Sequence, residues 1–79
     1  MNNARVNLNM TEEEAIQFAE GIALEEGWPW LLPVRATRKP TGNSILWEVV
    51  SNVGSIGSNV KVVFDEGTKR IVEKKSLPR

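Results

Sequence analysis

Carboxylates, bases and tryptophans are the groups in this chain with chemistry to offer, because it contains no histidine, cysteine or tyrosine. Without those three types, the usual near-neutral general base and the usual nucleophile pairings are missing. Glu12/Glu13 and Glu25/Glu26 are adjacent in sequence and point in different directions on a helix, whereas paired acid–base carboxylates must converge across a cleft. No catalytic residue is assigned, and an enzyme is not expected. For a metal, only an oxygen cage for a hard cation remains. The stretch "DEGTKRIVE" lacks the alternating acids of a calcium loop, so neither a metal nor a cofactor is expected. "GSIGSN" has the glycines of a phosphate cradle, but "VKVVFD" follows it. A cradle opens a helix, and that continuation reads as a strand, so the segment is expected to be a hairpin loop.

The bases Arg35, Arg38, Lys39, Lys61, Lys69, Arg70, Lys74, Lys75 and Arg79 could track a phosphate backbone. Glu48, Asp65, Glu66 and Glu73 interrupt that field, which favours a solvated, salt-bridged sheet face over nucleic-acid binding. Nucleic acid is kept as the alternative partner. Trp28 and Trp30 flank Pro29 in "EEGWPWLLPVRATRKP", and the proline fixes the backbone between them. Trp28 is read as plugging the end of the core and Trp30 as partly exposed, available to a partner. Trp47 is read as core.

The elements that position these groups follow from caps and periodicity. Thr11 and Glu14 form a capping box, and Glu12–Glu14 suit the positive end of a helix dipole. From Glu12 to Glu26, Ala15, Ile16, Phe18, Ala19, Ile22 and Ala23 fall within an arc of about 160° at 100° per residue. Gly27 caps the helix, and Pro29 prevents its continuation. Strands are predicted over Leu31–Lys39, Ile45–Val53, Val60–Asp65 and Arg70–Lys75, with turns at "KPTGNS" and "DEGTK". The fold class is therefore α+β, one N-terminal helix packed across a four-stranded antiparallel meander.

Alternation sorts the sheet faces. Val34, Ala36, Ile45, Trp47, Val49, Val60, Val62, Phe64 and Ile71 are assigned to the core side. Arg35, Thr37, Lys39, Leu46, Glu48, Val50, Asn52, Lys61, Val63, Asp65, Arg70, Val72 and Lys74 are assigned to the outer side. Leu46, Val50, Val63 and Val72 lie among charges there, which is more apolar surface than a solvated face needs; cross-strand packing within the sheet is the plainer explanation of the same residues. The candidate partner-binding residues are Trp30, Arg35, Leu46, Val50, Val63 and Val72.

At 79 residues the chain is one domain near the lower limit for a self-supporting core, a size that often gains stability by association. Its 41% hydrophobic and 25% charged content argues against disorder. The boundaries expected are a flexible lead-in over residues 1–10, the domain over 11–76 and a tail over 77–79. No apolar run is long enough for a membrane span and no secretory signal is visible, so the cytoplasm is the expected compartment. Net charge is zero, but residues 1–33 carry one base against six acids and residues 34–79 nine against four. An acidic helix beside a basic sheet is the simplest arrangement.

The helix "TEEEAIQFAEGIA", the Trp47-x-Val49 strand and a last hairpin in which Asp65 precedes Gly67 and Thr68 together resemble small PepSY-type and cystatin-like α+β domains. They also resemble compact immunity proteins encoded beside bacterial toxins. PepSY domains usually carry Asp-x-x-Thr-Gly in the final turn, whereas the order here is Asp65-Glu66-Gly67-Thr68-Lys69. The resemblance implies a non-catalytic bacterial module that binds or inhibits a protein; PepSY domains are commonly exported, whereas no leader is visible here. A protein partner or a second copy of the chain is the partner expected.

Overall fold

A computed structural model describes residues 10–78; the expected lead-in lies, but for Met10, outside them. One helix, α1 (Glu12–Glu25), precedes four strands, β1 (Arg35–Thr41), β2 (Ser44–Val50), β3 (Asn59–Asp65) and β4 (Ile71–Leu77). The strands form one antiparallel sheet in the order β1-β2-β3-β4. The chain is thus an α+β fold with a meander sheet.

Both ends of α1 are fixed by the residues that mark them in the sequence. Glu14 N donates to Thr11 Oγ1 (3.1 Å) and Thr11 N donates to Glu14 Oε1 (2.8 Å), a complete capping box. At the far end Gly27 takes φ +77°. Trp28 N donates to Ala23 O and Gly27 N to Leu24 O, the two bonds of a Schellman motif. Ala15, Ala19 and Ala23 are fully buried, so a stripe of methyl groups lets the helix backbone approach the sheet. Ile16, Phe18 and Ile22 pack beside them. The Phe18 and Phe64 rings meet at 4.4 Å between centroids and 47° between planes, a tilted contact of the favoured kind. The rest of the core is Trp47, Val49, Val60 and Val62. The helix lies over β1, β2 and β3.

Several boundaries differ from the sequence reading. β1 begins at Arg35 instead of Leu31, because the carbonyls of Leu31 and Pro33 accept from Asn52 N (2.8 Å) and Val53 N (3.0 Å) of the β2–β3 loop. β1 also runs through Pro40 to Thr41, as an edge strand permits. The turn that follows is only Gly42–Asn43, with Gly42 at φ +57°. Glycine with positive φ at the first central position is the type II′ pattern that matches strand twist. β4 continues to Leu77, so that residue belongs to the sheet and not to a tail.

The most consequential correction concerns β4. Phe64 pairs with Ile71 but Val63 pairs with Glu73, leaving Val72 as the extra residue of a β-bulge. Alternation counted straight through it puts Lys74 on the wrong side. Lys74 faces the helix, where its Nζ lies 2.6 Å from Glu26 Oε2, and Glu73 takes the outer position.

Candidate functional site

The outer face of the sheet brings together Arg35, Leu46, Val50, Val63 and Val72, five of the six candidate contact residues. Register places Arg35, Val50, Lys61 and Lys75 in one row, and Thr37, Glu48, Val63 and Glu73 in the next. Leu46, Val50 and Val63 are half-buried between charges that are themselves paired. Glu48 accepts from Lys39 and lies 3.5 Å from Lys61. Lys61 also reaches Glu73 (3.7 Å), and Glu73 reaches Lys75 (3.5 Å). A ladder of alternating charge therefore crosses all four strands. The hydrogen bond from Lys39 holds the Glu48 carboxyl below its ordinary value despite partial burial.

At the turn end of this face an open groove of about 390 Å³ runs between Leu46, Val72 and Ile71, flanked by Asp65 and Arg70. The Asp65 carboxylate is committed to its own turn, Oδ1 accepting from Gly67 N (2.8 Å) and Thr68 N (3.0 Å). The Thr68 amide, followed by that of Gly67, depresses its pKa. Arg70 makes no ion pair among the described residues.

Glu66 plays a role that sequence reasoning missed. Its Oε1 accepts from Trp47 Nε1 (2.9 Å) and Arg38 Nε (3.2 Å), and its side chain is only 13% exposed. Burial pushes the Glu66 carboxyl up, but the donors from Arg38 and Trp47 outweigh it, and the pKa falls below the ordinary value. It is the polar anchor of the core indole, which must find an acceptor when buried. Nothing in the spacing of Glu66 singles it out; a buried tryptophan needing an acceptor was the available clue. Among the described residues no three His, Cys, Asp or Glu side chains are grouped to hold a metal ion. No helix there is long and apolar enough to cross a membrane.

The opposite end of the molecule is built from the connector 26–34 and the loop 51–58. Trp28 and Trp30 are both half-buried and pack on the core, so the two rings share the closing role that the sequence reading gave to Trp28. Beyond them Leu31 and Leu32 are exposed, Leu32 at 76%. The loop is held by its polar residues. Buried Ser51 accepts from Val60 N through Oγ (2.9 Å), Asn59 Nδ2 donates to Ser51 O and Asn52 O, and Asn52 Nδ2 donates to Gly57 O. Gly54 and Gly57 supply positive φ at +95° and +86°. At the tip Ile56 is 99% exposed. The sequence signal for it is an isoleucine enclosed by glycine and serine on both sides, with no partner residues nearby to bury it.

Comparison of the chain with protein-family models, curated proteins and solved structures gave no match.

Proposed function

We propose that this chain is a non-catalytic binding module that acts by protein–protein contact, seating Leu32 and Ile56 in an apolar pocket of its partner. The observation that carries the reading is the loop 51–58, whose side-chain hydrogen bonds hold an isoleucine fully in water. Burying such a side chain in a partner is favourable by about 1.5–3 kcal/mol. Trp30 stands behind this surface as a half-buried support. The outer-face residues Arg35, Leu46, Val50 and Val63 are secondary, because the ion pairs around them keep that face solvated. An inhibitory or immunity-like role fits a small module with two protruding apolar anchors, and the setting under this reading is the cytoplasm.

The nucleic-acid alternative is disfavoured by charge. Lys39, Lys61 and Lys75 are each within ion-pair distance of Glu48 or Glu73, so they do not form an unbroken phosphate track. Affinity capture with immobilised protein decides between the readings. Leu32→Asp with Ile56→Asp is expected to abolish recovery of a defined protein partner, while Leu46→Lys with Val63→Lys leaves it intact. Salt-sensitive retention of random duplex DNA, unaffected by the first pair, would instead establish the alternative.

A further inference from the structure

The two edges of the sheet are unequal. β1 carries Arg35, Arg38 and Lys39, all of one sign, and Pro40, which has no N–H to offer. Like charge and proline are the devices that stop an edge from pairing with another strand. β4 has no proline, and α1 lies over β1, β2 and β3 and not over β4, with the cap residue Glu26 reaching Lys74 by an ion pair. Its bulge at Val72 disturbs the turn-proximal end alone, leaving Glu73–Leu77 in regular register with β3.

We infer that β4 is an association edge that pairs antiparallel with β4 of a second copy about a two-fold axis at Lys74. The charges on β4 are self-complementary in that register. Glu73 of each copy meets Lys75 of the other, because residues placed symmetrically about the axis lie opposite each other and on the same face. The outer-face ladder then continues across the junction. Lys74 meets Lys74 at the axis, but each is already drawn to its own Glu26. Counted past the bulge, the same register sets Ser76 opposite Ile71 and brings Leu77, 45% exposed on the outer face, beside Val72, 58% exposed. Two exposed apolar side chains thus cover one another at the mouth of the groove lined by Leu46, Ile71 and Val72. This edge is separate from the Leu32/Ile56 end, so neither proposal depends on the other.

Such a contact buries less than the roughly 1,200 Å² of a standard interface and forms weakly. Sedimentation equilibrium of the full chain from micromolar to low millimolar concentration is expected to show mass rising toward twice the monomer. Glu73→Lys and Lys75→Glu each set like charges opposite and are expected to weaken the dimer about tenfold or more. The exchanged double variant restores opposite charges and is expected to recover the wild-type dissociation constant to within about threefold. Amide hydrogen exchange needs no variant: protection should grow with concentration in β4 and not in β1. Monomer mass throughout the range, no gain of protection in β4, or a double variant no better than the singles would overturn this assignment.

Discussion

The indole nitrogen of Trp47 and the carboxylate of Glu66 meet at 2.9 Å, across nineteen positions of sequence, and this bond ties the central strand to the β3–β4 turn. The same carboxylate oxygen takes Arg38, so one acceptor joins β1, β2 and the turn. Glu66→Ala leaves a buried N–H without an acceptor and is expected to destabilise the fold by about 1–3 kcal/mol in urea titration. Glu66→Gln keeps an acceptor for the indole and loses the charge attraction to a partly exposed arginine, and is expected to cost only about 0–1 kcal/mol.

Acid should unfold the chain through a small set of carboxylates. Glu48, Asp65 and Glu66 all titrate below their ordinary values of 4.5, 3.8 and 4.5. A group with a depressed folded pKa contributes stability above its unfolded pKa and loses it as pH falls through the folded one. The melting temperature is therefore expected to decline below about pH 4.5 as these three take up protons. Glu66→Gln should flatten part of that decline, and a decline of unchanged depth would refute the assignment.

Phe64 fills the space beneath Phe18 and is fully buried. Phe64→Ala is expected to cost about 3–5 kcal/mol, a large share of the stability of so small a domain. Denaturant unfolding followed by tryptophan fluorescence measures it directly.

Ala19 lies in the middle of the methyl stripe, with no exposed surface. Ala19→Leu should lift the helix from the sheet and cost about 1–3 kcal/mol by overpacking. Gln17→Leu, on the exposed side of the same helix, is expected to change the melting temperature little; equal effects from both would contradict the close helix–sheet approach.

The ion-pair ladder predicts much smaller effects. Glu48→Gln removes contacts to Lys39 and Lys61, both partly in solvent, and is expected to cost under about 1 kcal/mol. The cost should shrink further in high salt.

The local signals of the sequence carried the fold well where one residue type has one physical use. Thr11 and Glu14 announce the helix start, Gly27 its end, and the alternation through Trp47–Val49 and Val60–Phe64 identifies the core side. Three features were hidden because they are settled by tertiary partners. Leu31–Val34 has strand-forming residues, yet the Leu31 and Pro33 carbonyls bind the β2–β3 loop. Glu66 reads as one more turn acid until the indole of Trp47 is placed beside it. Lys74 changes face because Val72 adds a residue that no periodicity count detects. The candidates Leu46, Val50, Val63 and Val72 were legible as outer-face residues. The ion pairs that surround the first three follow from register, which the strand pattern alone does not supply.

Val72 amounts to slack in the last strand. Shortening the chain by one residue there would draw the bulge into a plain ladder while Ile71 and Lys74 kept their sides. Loss of one residue between Ile71 and Glu73 can thus be absorbed without exchanging inside for outside. A loss within Val60–Phe64, which has no such reserve, would turn valines into the water.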